Sequence, residues 1–301
     1  MNPLELRSRL VGVVGFPVTP FHADGSVDLD GLGKNVDAMA SHAFCSLVIA
    51  GGTGELYSLS VEEHRDILRA SVEAVAGRMP IIAGVGGSIA VAREQAIQSW
   101  KAGAQGILAL PPYYAGADDV GLLAYYQQIG AATPLGLLVY SRDWVNPGAA
   151  FVERLADAAP TLIAWKDGQG DARRYQFIMS HVGARLHWIG GAGDDLVPTY
   201  YRMGLRTYTS SISNVSPRMS LALHDLAVAG DEAKLQQLLR DFVVPLYAFR
   251  ARRKGYEVTV MKVMMTLMGM PAGPVRPPLV EVTDSERTEL AAMVDRWREW
   301  L

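Results

Sequence analysis

The sequence predicts an α/β fold, a closed (β/α)₈ TIM barrel over residues 1–231 with a C-terminal helical segment over residues 232–301. Eight short apolar runs alternate with stretches of helical period. They occupy about 230 residues, close to the usual length of such a barrel. The runs are continuously apolar instead of alternating, as in parallel strands covered on both faces. An open doubly wound sheet is the competing architecture, but no G-x-G-x-x-G follows a strand with an acidic residue about 20 positions on.

The first strand spans residues 11–16 and is broken by Pro17 and Pro20. Leu29, Leu32, Val36 and Met39 fall near a 3.6-residue period, which predicts a helix over residues 28–42. Residues 45–50 form the second strand and run into Gly51-Gly52-Thr53-Gly54-Glu55. Ser60-Val61-Glu62-Glu63 is a capping box that opens a helix to residue 78. Strand three, residues 80–85, closes on Gly86-Gly87, and a helix over residues 88–102 leads to strand four at 106–110. Pro111-Pro112-Tyr113-Tyr114 follows, then a helix at 118–131 and strand five at 135–140. Pro147 opens the helix to residue 158, and strand six, from Leu162, ends on Lys166. A helix at 171–181, strand seven at 186–189, a helix at 194–203 and strand eight at 206–212 complete the barrel. Residues 232–301 read as helical and strand-free. The Met261, Met264, Met265, Met268 and Met270 series reads as core packing.

Half of the 301 residues are apolar and a fifth are charged, which excludes wholesale disorder. The net charge of −3, with both signs interspersed, gives no sign of a nucleic-acid or anionic-membrane surface. The single cysteine, Cys45, sits in an apolar run and reads as a small buried filler. No basic and apolar leader opens the chain and no run reaches transmembrane length, so the expected location is the cytoplasm.

Lys166 is the unusual residue. The chain has six lysines against 22 arginines, and Lys34, Lys101, Lys234, Lys254 and Lys262 all lie in helical or charged surroundings. Lys166 alone ends an apolar strand, although lysine is rarely buried unless paired. Two readings stand at this point. Lys166 is salt-bridged to Asp167 or Asp171, or it is a desolvated amine with a depressed pKa, able to attack a carbonyl as a Schiff-base nucleophile.

In a (β/α)₈ barrel the chemistry lies at the carboxyl ends of the strands. Those ends gather Thr53, Glu55, Tyr113, Tyr114, Tyr140, Arg142, Lys166, Ser210, Ser211, Ser213 and Asn214. The six histidines, His22, His42, His64, His181, His187 and His224, show no ligand spacing with carboxylates near a strand end, so no metal is expected. Gly51-Gly52-Thr53-Gly54 lacks the Lys-Ser/Thr of a Walker loop. It is either a tight turn or a nest of backbone N–H groups for a carboxylate. The basic cluster from Arg250 to Lys254 reads as a solvated face or a subunit contact.

Together these residues resemble the dihydrodipicolinate synthase / N-acetylneuraminate lyase family of Schiff-base-forming barrels. The likeness runs through Phe16-Pro17-Val18-Thr19-Pro20-Phe21, Gly52-Thr53-Gly54-Glu55 with Leu59-Ser60 and Glu63-His64, and Pro112-Tyr113-Tyr114. It continues through Tyr140, Lys166 with Gly170-Asp171, and Gly273-Pro274-Val275-Arg276-Pro277-Pro278-Leu279. The resemblance implies a Schiff base between Lys166 and a 2-oxo acid without any cofactor, a proton relay through Tyr140, and a carboxylate held by Gly52 and Thr53. It also implies a homotetramer or homodimer. Tyr114, Arg142, Ser210, Ser211, Ser213 and Asn214 are the further expected substrate-binding residues.

Gly52 stands where the family's synthases and lyases carry a hydroxyl residue that passes protons to the tyrosine. Ser141-Arg142-Asp143-Trp144 departs from the synthases' Asn-Val-Pro-Gly-Arg-like turn. Ala50–Glu55, Lys166–Asp171 and Arg252-Arg253-Lys254-Gly255-Tyr256 are similar to the 5-dehydro-4-deoxyglucarate dehydratases of the family. Those enzymes typically carry Tyr-Asn-Arg in place of Tyr140-Ser141-Arg142 and commonly lack a match to Tyr114. The expected activity is decarboxylating dehydration of 5-dehydro-4-deoxyglucarate to 2,5-dioxopentanoate. Pyruvate-dependent aldol cleavage or synthesis is the alternative. A phosphosugar barrel, suggested by Gly190-Gly191-Ala192-Gly193, and a non-catalytic binding barrel stand behind these.

Overall fold

The computed structural model describes residues 1–114 and 116–301. Its eight strands are β1 (Gly12–Gly15), β2 (Ser46–Ile49), β3 (Ile81–Val85), β4 (Gly106–Ala109), β5 (Gly136–Ser141), β6 (Leu162–Asp167), β7 (His187–Ile189) and β8 (Thr207–Ser210). Neighbours in sequence pair in parallel from β1 to β7, and β8 returns to pair with β1. Gly190 joins the last gap: its N–H donates to the Thr207 carbonyl at 3.0 Å and its carbonyl accepts from the Thr209 N–H at 2.8 Å. The fold is therefore the expected (β/α)₈ barrel, and closure leaves no free sheet edge.

The strands are buried along their length, apart from half-buried His187 and Trp188 in β7. Helix α1 (Pro3–Arg9) precedes the first strand and closes the amino-terminal end of the barrel. Leu6 is fully buried, and a Cβ on Gly106 or Gly136, the first residues of β4 and β5, would come within 2.5 or 3.3 Å of its Cδ2. Seven residues are too few for a visible helical period, and the capping box of Asn2 with Glu5 is its local signal.

The outer layer consists of α2 (Leu29–Ala40), α3 (Val61–Val75), α4 (Ile89–Ala102), α5 (Asp119–Ala131), α6 (Ala149–Ala158), α7 (Ala172–Val182), α8 (Val197–Arg202) and α9 (Pro217–Ala229). The helix expected at 194–203 begins as a 3₁₀ turn at Asp194–Leu196, and α8 restarts at Val197 with Pro198 in its first turn. Helix α9, which the sequence reading leaves unassigned, completes the set after β8.

The C-terminal segment is strand-free, as expected. Helix α10 (Glu232–Leu238) passes through a wide π turn at Leu239–Val243 into α11 (Val244–Arg250), then come α12 (Tyr256–Leu267) and α13 (Asp284–Arg296). The wide turn sits where Pro245 cannot supply the N–H of a regular helical bond. Met261, Met264 and Met265 are buried and Met268 and Met270 half-buried in the core. Cys45 packs against the same core, and burial pushes its thiol up to about 12.

Candidate active site

Tyr140 and Lys166 are Cα partners on the paired strands β5 and β6, so both side chains reach the carboxyl end of the barrel together. Lys166 is 3 % exposed. Its Nζ donates to the Gly191 carbonyl at 3.0 Å and lies 3.2 Å from the centroid of the Tyr140 ring and 5.5 Å from that of Phe16. Two glycines make this possible. A Cβ on Gly191 would meet Lys166 Nζ at 2.5 Å, and one on Gly168 would meet the Tyr140 ring at 2.4 Å.

The salt-bridge reading of Lys166 fails. Asp167 turns its carboxylate to the Gln169 and Gly170 N–H groups, at 3.0 and 3.2 Å, and to the Tyr200 hydroxyl at 2.7 Å. Asp171 caps α7 by accepting from the Arg174 N–H at 3.0 Å. Burial, with the Arg142 cation adding to it, holds the Lys166 amine well below its ordinary pKa, against the opposing pull of Asp167. Burial pushes the Tyr140 phenol up.

Residues 51–54 form the opposite lip. Ala50 and Glu55 bracket them in the left-handed region, at φ 52° and 56°, a conformation costing roughly 1–2 kcal/mol for a residue with a Cβ. The chain is forced close to β3, where a Cβ on Gly84 would meet the Ala50 carbonyl at 2.1 Å. Among the described residues the N–H groups of Gly52 and Thr53 have no backbone or side-chain acceptor, the state of a nest open to an anion.

These groups share one cavity of about 390 Å³, lined by Gly52, Thr53, Tyr140, Arg142, Lys166, Ser210 and Ser211 among the expected residues. Arg142 sits between Asp143 and Glu257, 3.3 Å from each carboxylate. Ser210 is fully buried and bonded to Asp194 and to Ser220 Oγ. Three expected residues stand elsewhere. Ser213 is buried with its Oγ on the Ser210 carbonyl, at 2.7 Å, and Asn214 pins the segment after β1 by accepting from Val18 N–H and donating to the Phe16 carbonyl, at 2.9 and 2.8 Å. Both hold the turn after β8 and neither lines the cavity. Tyr114 is 80 % exposed and lines a separate apolar groove with Tyr113 and Tyr125.

Among the described residues, no group of three His, Cys, Asp or Glu side chains could hold a metal ion, and no helix is long and apolar enough to cross a membrane. The dihydrodipicolinate synthetase family model matches residues 9–296. The chain belongs to that family. It is 38% identical over 299 residues to the "Probable 5-dehydro-4-deoxyglucarate dehydratase" of Bradyrhizobium diazoefficiens, covering 98% of this chain and 95% of that protein. It is 40% identical over 298 residues to a protein of the same name from Ralstonia nicotianae, covering 98% and 96%. Among solved structures, dihydrodipicolinate synthase from Oceanobacillus iheyensis superposes with a TM-score of 0.93 at 27% identity, covering 99% of this chain and 100% of that one. This dihydrodipicolinate synthetase family member is accordingly a lyase.

Sequence reasoning misses part of the family member's cavity wall. Tyr247 and Arg250 of α11, Glu257 of α12 and Asp194 after β7 all line it. Arg250 is thus corrected from a solvated face or subunit contact to a cavity residue. Glu55, expected at the mouth, is instead buried with its Oε1 2.5 Å from Lys262 Nζ. A lysine among the buried methionines of α12 was the available signal for that pair, because a buried ammonium needs a partner.

Proposed function

We propose that this family member is a Schiff-base-forming lyase that converts 5-dehydro-4-deoxyglucarate to 2,5-dioxopentanoate, carbon dioxide and water. The observation that carries the chemistry is Lys166, a buried amine with no carboxylate partner among the described residues and a depressed pKa. A neutral amine is the nucleophilic form.

Lys166 attacks the keto carbon C5, and expulsion of its oxygen as water leaves an iminium. The adjoining carboxylate, C6, rests on the Gly52 and Thr53 N–H groups. The iminium acidifies the C4–H, Tyr140 relays that proton, and the C3 hydroxyl leaves with it as water. The new C3–C4 double bond is conjugated with the iminium. The C1–C2 bond then breaks, carbon dioxide leaves, and the electron pair runs through the conjugated chain to nitrogen. Reprotonation and tautomerisation turn the C2 carbinol into an aldehyde. Water hydrolyses the iminium, frees Lys166 and replaces the water lost when the iminium formed.

Two observations favour this substrate over pyruvate aldol chemistry. The relatives at 38% and 40% identity carry the dehydratase name. A Cβ on Gly52 would stand 3.1 Å from Arg142 Nη1, so a synthase-like threonine there would compete with the present arginine position. The alternative, dihydrodipicolinate synthase-like or N-acetylneuraminate lyase-like chemistry, keeps the same lysine, and the names of the solved structures support the synthase form of it. The purified enzyme should convert 5-dehydro-4-deoxyglucarate without added metal or nucleotide. It should outpace both condensation of pyruvate with aspartate semialdehyde and cleavage of sialic acid; if either of those runs faster, the substrate assignment is wrong. A cytoplasmic location and a homotetramer or homodimer, checked by fractionation and sizing, belong to the same reading.

A further inference from the structure

We propose that Arg250, rather than Arg142, receives the far carboxylate of the substrate; this rests on the dicarboxylate reading above. A diacid whose near carboxylate lies on the Gly52–Thr53 nest needs a second cation away from that nest. Arg142 is not so placed. The space of a Cβ on Gly52 ends 3.1 Å from Arg142 Nη1, which puts this guanidinium beside the nest. Its charge is also already shared by Asp143 and Glu257, at 3.3 Å each, and two carboxylates around one cation disfavour a third.

Arg250 lines the same cavity on the wall formed by α11 and the turn after β8. Among the described residues no carboxylate forms an ion pair with it. One nitrogen, Nη1, donates to Ser211 Oγ at 3.0 Å, and the guanidinium lies 4.6 Å from the centroid of the Tyr247 ring. Among the described residues the remaining donors of the planar fork have no hydrogen-bond acceptor, and that fork matches a carboxylate in two parallel bonds.

The stack is itself fixed from behind. The Tyr247 hydroxyl donates to Asp194 Oδ2 at 2.8 Å and accepts from the Asp194 N–H at 2.7 Å, while Ser210 bonds the other carboxylate oxygen. Asp194 is 1 % exposed and its hydrogen bonds go to neutral donors; Arg250 acts on Asp194 and Asp195 through space, but among the described residues neither carboxylate is in direct ion-pair contact with it. Tyr247 and Asp194 are positioning residues in this arrangement, and of the three Arg250 is the one that would touch the far carboxylate.

The test is competitive borohydride trapping of 2-oxoadipate against 2-oxohexanoate, two six-carbon 2-oxo acids that differ in the far carboxylate. Losses of folded protein or of Lys166 reactivity cancel in the ratio of the two adducts. The wild-type enzyme should favour 2-oxoadipate by roughly 10- to 100-fold, the range of a charged hydrogen-bonded pair. Arg250→Gln should bring the ratio to within about threefold of one, and Arg250→Lys should fall between, having charge without the fork or the stack. The proposal is overturned if the wild-type ratio is near one, or if Arg250→Gln keeps the preference. It is equally overturned if Arg142→Gln, and not Arg250→Gln, removes it. Should Arg250→Gln not fold, Arg250→Lys decides: a lowered ratio supports the site and an unchanged one overturns it. A preference that depends on Arg250 in an enzyme that does not dehydrate 5-dehydro-4-deoxyglucarate would sink the substrate assignment and leave the anion site standing.

Discussion

Lys166 Nζ rests 3.2 Å from the centroid of the Tyr140 ring, across two strands whose register sets the residues opposite each other. The contact with the π face favours a charged amine, whereas burial and the Arg142 cation favour a neutral one. The net direction is downward, so the nucleophile is neutral at a pH where an exposed lysine is charged.

Pyruvate with borohydride should therefore add a covalent mass to the peptide containing Lys166, and Lys166→Ala should abolish the adduct. Gly191→Ala should abolish it too, because the new Cβ would stand 2.5 Å from both Nζ and the Asp167 carbonyl. Peptide mass spectrometry checks both, and undiminished labelling in Lys166→Ala would mean that another amine reacts.

Tyr140→Phe keeps the ring on which Lys166 rests and removes the hydroxyl. Turnover should fall by roughly 10²- to 10⁴-fold, the usual contribution of a positioned acid/base group, while circular dichroism and thermal midpoint stay near wild type. Near-normal turnover would leave Tyr140 as packing alone.

Burying Lys166 has a consequence for stability whose sign follows from its pKa. The native value lies below the ordinary 10.5, so between the two the unfolded chain holds a proton that the native chain lacks. Wild-type stability therefore rises with pH through that window. Lys166→Met should gain on wild type at neutral pH by about 1.4 kcal/mol for each pH unit of the depression that lies above the working pH, and this gain should shrink to a constant offset as pH passes 10.5. Denaturant midpoints across a pH series measure this, and a constant difference between the two proteins would show that the amine is not depressed.

The strands were legible because each is an apolar run between glycine, proline or polar turns, and Lys166 because it charges the end of one. The cavity wall from the C-terminal segment was not. In sequence, Arg250 belongs to a run of basic residues with Arg252, Arg253 and Lys254. Only the course of α11 separates Arg250, facing the cavity, from Arg252, paired with Glu289 at 2.8 Å on the surface. Asp194 looks like the start of a helix, yet its side chain turns inward to Ser210 and Tyr247. Ser213 and Asn214 follow a strand end, where hydroxyls and amides read as ligand-binding, but a 3₁₀ turn at Ile212–Asn214 folds both into backbone bonds.

The Glu55–Lys262 pair ties the C-terminal segment to the substrate lip. Both side chains are buried, and their 2.5 Å contact is an ion pair off the line of an aligned hydrogen bond. Lys262 also donates to the Pro274 carbonyl at 2.8 Å, and Glu55 accepts from the Arg276 N–H at 3.0 Å. The Arg276 guanidinium in turn grips Glu63, at 2.5 and 2.8 Å, and the Ser58 carbonyl at 2.7 Å. Lys262→Met strands a buried carboxylate and should cost about 3–5 kcal/mol, the usual effect of removing one partner of a buried pair. Adding Glu55→Gln removes the stranded charge, so the double variant should recover much of that loss by denaturant unfolding. Glu55 holds its left-handed φ beside the Gly52–Thr53 nest, so Lys262→Met should also raise the pyruvate concentration needed for half-maximal trapping. A double variant as unstable as the sum of the singles, or a nest affinity untouched by Lys262→Met, would separate the pair from the site.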